Sequence, residues 1–213
     1  MDFTFKNIIP KGFNSKDVTK SNFWNENLKF SYGENHLIRA ESGKGKSTLL
    51  AYLIGWRTDF HGDLIINNTN SKKFNKLDWI IKRRNEISWV QQDMQLIPEL
   101  TLTENLELKN QITSFATNNT IDNYISKLNL QDYINEPCQR LSQGQQQRVA
   151  IIRALLQPFK WILLDEPFSH LDHNNKEIAF ELIKTCAKEQ KAGIVITSLN
   201  TKQKLEDFIS IDL

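Results

Sequence analysis

Short apolar runs alternate with longer amphipathic stretches along this chain, the pattern expected of a parallel sheet covered by helices. Residues 36–39, 87–90 and 161–164 are apolar runs that lead straight into polar residues, and each predicts a short strand. Residues 193–197 predict a late core strand, and the stretch 176–188 before it predicts a helix. Between the second and third runs, 103–109 and 120–130 predict helices, the latter because Ile121, Tyr124, Ile125 and Leu128 recur at helical spacing. Together they predict a helical lobe over about 93–145. No fixed-period repeat, low-complexity tract or flexible linker interrupts the pattern.

At 213 residues the chain is long enough to bury a full core, and one domain over 1–213 is expected, with no room in the final stretch for an added regulatory domain. Hydrophobic residues make up 39% and charged residues 24%, with mean hydropathy −0.47, which argues against both disorder and a membrane-embedded chain. A net charge of +2 gives no overall case for a nucleic-acid or lipid surface. Cys138 and Cys186 are too few for a disulfide framework and read as reduced thiols of a cytosolic protein. The start, Met1-Asp2-Phe3-Thr4-Phe5-Lys6, lacks the pattern of an export leader, and no apolar run approaches the ~20 residues that span a bilayer. A membrane role therefore requires another chain to supply the span.

The first chemical signal is Ala40-Glu41-Ser42-Gly43-Lys44-Gly45-Lys46-Ser47-Thr48, after a predicted strand and before the helix-capable stretch 49–54. It reads as a phosphate-binding loop. Glycines let backbone N–H groups converge on phosphate oxygens, the following helix adds its positive end, Lys46 reaches the terminal phosphates and Ser47 ligates Mg²⁺. The usual motif opens with Gly, and Ala40 at that place is tolerable where the backbone needs no positive φ. A surface turn rich in Gly and Lys is the alternative, and the flanking strand and helix weigh against it. The second signal is the apolar strand ending in Asp165-Glu166. Beside a phosphate loop, Asp165 would act on Mg²⁺ through its water shell and Glu166 would polarise the attacking water. Alone, such a pair is as often a simple strand end.

The third signal, Leu141-Ser142-Gln143-Gly144-Gln145-Gln146-Gln147-Arg148-Val149-Ala150, strongly resembles the signature of ATP-binding cassette (ABC) ATPases, with Gln143 where a second Gly is usual. The resemblance spans nearly the whole chain. It implies an α/β phosphate-loop NTPase cassette with a mainly parallel core sheet, a small antiparallel β portion and the helical lobe. It implies an ATPase that powers transport by a separate membrane-spanning permease subunit, with Mg²⁺ held by Ser47, Gln92 and Asp165. By the same resemblance two cassettes meet head to tail, so that Ser142, Gln143, Gly144 and Gln145 face the other subunit's ATP. Ser142 at a helix N-terminus suits that task, because its hydroxyl and the adjacent N–H groups form a second phosphate-binding surface.

Further positions follow the family pattern. Gln92 matches the glutamine that links the active site to the membrane partner, and Met94, Leu96, Ile97 and Pro98 follow it; Met94 and Leu96 read equally well as lobe core. Ser169-His170-Leu171-Asp172 resembles the loop through which cassettes touch. Phe13 is the candidate to stack on adenine, with Phe3, Phe5 and Trp24 as competitors. Ser198 stands where the family usually has His; His170 and His173 do not replace it by position. Ser is shorter and carries no charge, so Glu166 argues for hydrolysis while Ser198 argues for a slow rate or a regulatory ATP-binding switch. Cassettes of DNA repair or translation usually carry long insertions or a second cassette, neither present here, so no nucleic-acid partner is expected. The resemblance implies a cytoplasmic protein, peripheral on the inner face of the cell membrane, in the company of small lipoprotein-releasing and export-type subunits.

Overall fold

The computed structural model describes residues 1–13, 18, 21–199 and 205–213. The chain opens with β1 (Phe3–Pro10), β2 (Asn27–Phe30) and β3 (Asn35–Arg39), then α1 (Lys46–Leu53). There follow β4 (Phe60–Ile66), β5 (Thr69–Asn70), α2 (Lys76–Asn85) and β6 (Ile87–Val90). Helices α3 (Leu102–Asn110), α4 (Asn118–Lys127) and α5 (Gln143–Leu155) lead to β7 (Trp161–Leu164), α6 (His173–Glu189), β8 (Gly193–Ser198) and β9 (Ile209–Asp212).

Five strands form one sheet in the order β6-β7-β8-β3-β9, every pair parallel. Its central strands β7 and β8 are mainly apolar because both faces of the sheet are covered. Ile162, Leu164, Ile194 and Ile196 enter one core cluster, and their neighbours Trp161, Leu163 and Val195 enter the other. That period-two division is the pleat itself. The second sheet, β2-β1-β4-β5, is antiparallel and packs Phe3, Phe5 and Phe30 against Phe23, Trp24 and α1. Fully burying an aromatic or leucine side chain of this kind contributes about 1.5–3 kcal/mol, so this layer holds α1 in place. Within it His36 stacks on Phe30 at 3.8 Å, and desolvation pulls its pKa down to about 4.

The predicted strands at 36–39, 87–90, 161–164 and 193–197 all lie within strands of the parallel sheet. The helix expected over 103–109 extends one residue each way, with Thr101 as N-cap in a capping box with Glu104. The helix expected over 120–130 is shifted instead. It starts two residues earlier, at Asn118 with Thr117 as its cap, and Asn129 at φ 53 turns the chain just after it ends. Leu128 and Leu130 are buried beyond the helix, so the apolar spacing marks core positions rather than helical extent. The helix around 176–188 starts earlier, at His173, because Asp172 caps it through the N–H of Asn175 at 2.8 Å. Helix α2 carries no core-facing stripe in the sequence. Trp79 is its buried residue, and Leu77, Ile80 and Ile81 point outward.

Candidate nucleotide site

Four adjacent parallel strands end on one edge of the sheet, and each delivers one motif there. The phosphate loop follows β3, Gln92 follows β6, Asp165 and Glu166 follow β7, and Ser198 ends β8. Ligands of open α/β sheets bind along this carboxyl edge.

In the phosphate loop Gly43 and Gly45 take φ 78° and 97°, values that penalise any side chain. A Cβ on Gly45 would also lie 2.8 Å from Phe13 and 2.9 Å from Trp24. The indole N–H of Trp24 donates to Lys44 O at 3.3 Å, so the antiparallel layer supports the loop from beneath. Ala40 has no positive φ; its N–H donates to Ser198 O at 3.1 Å. Helix α1 begins with no side-chain cap and no acidic residue in its first turn, which leaves its N–H groups to an anion.

Lys46 is already engaged. Its buried Nζ donates to Ala40 O and Glu41 O at 3.0 Å each and lies 3.3 Å from Glu166 Oε1. Glu166 sits at φ 48°, a strained value for a residue with a side chain. Thr197 holds it there: the Thr197 hydroxyl accepts the Glu166 N–H at 3.0 Å and donates to Asp165 Oδ1 at 2.7 Å. Sequence reasoning missed Thr197, although a hydroxyl inside an otherwise apolar strand was a visible signal.

Two clefts open on this edge and share Ser47 and Gln92. The smaller, of about 220 Å³, is lined by Phe13, Gly43, Lys46, Glu166 and Leu199 among others. Phe13 is half-buried on it, whereas Phe3, Phe5 and Trp24 are buried in the core. The larger, of about 550 Å³, adds Asp165, Gln143 and His170. Ser47, Gln92 and Asp165 thus bring a hydroxyl, an amide and a carboxylate to one space, the hard oxygen donors that suit Mg²⁺ with water and phosphate completing its shell. Among the described residues no group of three or more His, Cys, Asp or Glu could hold a metal without such help. Ser198 is half-buried at the end of its strand, and it is the next residue, Leu199, that reaches the smaller cleft. His173 is exposed beside Glu177 at 3.6 Å, so neither it nor His170 on the larger cleft takes the Ser198 place.

The signature segment starts α5. Ser142 caps the helix by accepting the Gln145 N–H at 3.3 Å, while Gln145 Oε1 accepts the Ser142 N–H at 2.7 Å. A hydroxyl has one proton to donate, and Ser142's has no acceptor among the described residues, so it is available to an outside anion. Ser142 and Gln143 are exposed; a Cβ on Gly144 would stand 2.8 Å from His170 O, which explains glycine there.

Two polar residues of α5, buried Gln147 and half-buried Arg153, tie the loops together, and neither was singled out from the sequence. Gln147 donates to Glu166 O and Ser169 Oγ at 3.3 Å each and accepts the His170 N–H at 3.0 Å. Arg153 donates to Met94 O and Gln95 O at 2.6 Å each, where the chain after Gln92 adopts φ 60° and 51°. Met94 is buried in the lobe core and Leu96 packs against it, so these two are core, and Ile97 is the exposed apolar residue of that loop.

A family model described as ABC transporter matches residues 23–169. The chain is 33% identical to the ABC transporter ATP-binding protein YtrE of Bacillus subtilis, over 79% of this chain and 74% of the relative. It is 32% identical to the lipoprotein-releasing system ATP-binding protein LolD of Ehrlichia chaffeensis, over 99% of this chain and 91% of the relative. Its fold matches the dimeric post-hydrolysis structure of the cassette MJ0796 bound to ADP and Pi, with TM-score 0.77, 28% identity, and 92% of this chain and 87% of that one covered.

Proposed function

The chain belongs to the ABC transporter family of ATP-binding, ATP-hydrolysing cassettes, and on that footing we propose that two copies close on two MgATP molecules to drive a membrane-spanning permease. The observation that carries this reading is the convergence of the phosphate loop, Gln92, Asp165-Glu166 and Thr197 on one sheet edge.

Loop N–H groups and the open end of α1 bind the phosphates. Lys46 exchanges Ala40 O, Glu41 O and the Glu166 carboxylate for the terminal phosphates, and this frees Glu166 to take the proton of the attacking water. Ser47, Gln92 and Asp165 would hold Mg²⁺, which supplies charge neutralisation of the phosphate oxygens. The free proton of Ser142 completes the other copy's site. Phe13 offers the aromatic surface for adenine at the cleft mouth.

The face toward the permease is a groove of about 300 Å³ with Trp56, Trp89, Ile97, Leu108 and Ile112 on its walls. It suits a short cytoplasmic helix with an apolar side. Among the described residues no helix is long and apolar enough to cross a membrane, so the cassette would sit peripherally on the inner face of the cell membrane, held by that partner.

Glu166→Gln decides the mechanism, since the amide keeps the shape and cannot take the proton. ATP turnover should fall by roughly 10²-fold or more, while light scattering shows a dimer with MgATP and a monomer without it. A variant that binds ATP and stays monomeric would sink the two-copy model.

A further inference from the structure

Helix α2 presents its apolar residues to the outside. Trp79 anchors it by packing over Gly55, where a Cβ would meet the indole at 2.2 Å. Leu77, Ile80 and Ile81 are 61, 52 and 49% exposed. At ~100° per residue these three and Arg84 fall on one outward stripe, with Lys73 and Lys76 at its N-terminal end. From 72 to 84 the basic residues are Lys72, Lys73, Lys76, Lys82, Arg83 and Arg84, and Asp78 is the sole acid. Lys72 pairs with Asp63 and Lys82 with Glu86, both at 3.1 Å; among the described residues Lys73, Lys76 and Arg84 have no ion pair. The charge excess is therefore local, unlike the near-neutral whole.

We propose that this face rests on an anionic lipid surface, with Leu77, Ile80 and Ile81 entering the boundary between headgroups and acyl chains and Lys73, Lys76 and Arg84 pairing with lipid phosphates. An apolar stripe edged by Lys and Arg is the pattern of a helix lying in a membrane interface. Position supports it too. Arg83 of the same helix donates to Ile54 O at 3.2 Å and lines the groove with Trp56, so α2 is continuous with the face offered to the permease. In this respect the inference rests on the transporter reading. A ten-residue helix with three apolar side chains gives weak, reversible attachment by itself, so it orients the cassette under the bilayer while the permease supplies the firm hold.

The test is sedimentation of the purified full chain with vesicles of phosphatidylcholine, with or without about one-third phosphatidylglycerol. Wild type should bind the anionic vesicles about tenfold more strongly, and raised salt should weaken that binding. Lys73→Glu with Lys76→Glu and Arg84→Glu should abolish the preference, and Ile80→Ser with Ile81→Ser should weaken binding, each with an unchanged circular dichroism spectrum. MgATP hydrolysis on the same preparations checks the cassette reading independently: hydrolysis without vesicle binding overturns only the lipid proposal. Binding that ignores lipid charge, or that survives both sets of substitutions, also overturns it. If light scattering shows the same substitutions breaking a dimer, the face belongs to a second copy and not to lipid.

Discussion

The two halves of the proposed nucleotide site are finished to different degrees. In the phosphate-loop half the chain satisfies its own charges: Lys46 is shared among Ala40 O, Glu41 O and Glu166, and Thr197 occupies Asp165 and the Glu166 N–H. In the signature half Ser142 and Gln143 stand exposed, with a hydroxyl proton still to place. The first half must be opened by its ligand, because every new phosphate contact of Lys46 replaces an existing one. The second is ready, and lacks only a surface to meet. A site divided in this way ties affinity to rearrangement on one side and to assembly on the other.

Removing the central cation breaks the comparison most severely. Lys46→Ala should weaken MgATP binding by roughly 10²-fold or more, since a charged hydrogen bond to phosphate is lost, in a protein that calorimetric titration and circular dichroism show to be folded. Unchanged affinity would remove the phosphate-loop assignment.

Thr197→Val sharpens it, by releasing Asp165 and the strained Glu166 while keeping side-chain shape. We expect kcat to fall about 10- to 100-fold with KM for ATP changed far less, the pattern of a contact that matters in the transition state. Equal changes in both would make Thr197 a binding residue. Ser198→His tests whether a missing imidazole limits the rate. It should raise kcat by up to about tenfold at constant ATP affinity, and an equal or lower kcat in a variant that still dimerises with ATP would assign the chemistry to Glu166 without help from this position.

The smallest effect near neutral pH lies in the aromatic layer under the loop. His36 has a folded pKa of about 4 against the ordinary 6.5, and its Nε2 lies 3.4 Å from Glu34. The unfolded chain takes up this proton first, so stability is full above pH 6.5 and is lost as pH falls toward 4. The loss is about 1 kcal/mol at pH 6 and on the order of 3 kcal/mol below the folded pKa. Urea titrations of wild type and His36→Phe across that range should show a flatter pH slope in the variant; identical slopes would acquit His36.

Much of this was legible in the sequence wherever neighbours in the chain are also neighbours in the site. The phosphate loop, Asp165-Glu166 and the signature are consecutive runs, and the strands that carry them are short apolar runs buried on both faces. Thr197, Gln147 and Arg153 were not legible, because each acts across the fold: Thr197 on Glu166, Gln147 on His170, Arg153 on Met94. Helix α2 escaped for a different reason. Its outward apolar residues give the helical period no core to point at; Trp79 packed over Gly55, with Arg83 bonded to Ile54 O, fixes the helix in place. Met94 and Leu96 could be read two ways until burial assigned them to the lobe.

Gln147 has one amide, and it speaks to both ends of the molecule's timetable. Its Nε2 faces the backbone of Glu166, the residue proposed to act on the chain's own nucleotide, and its Oε1 holds His170, whose carbonyl abuts Gly144 in the segment proposed to meet the other copy. In a closed pair, two such amides would stand one in each copy, each bridging the residue proposed for one nucleotide and the loop beside the segment proposed for the other.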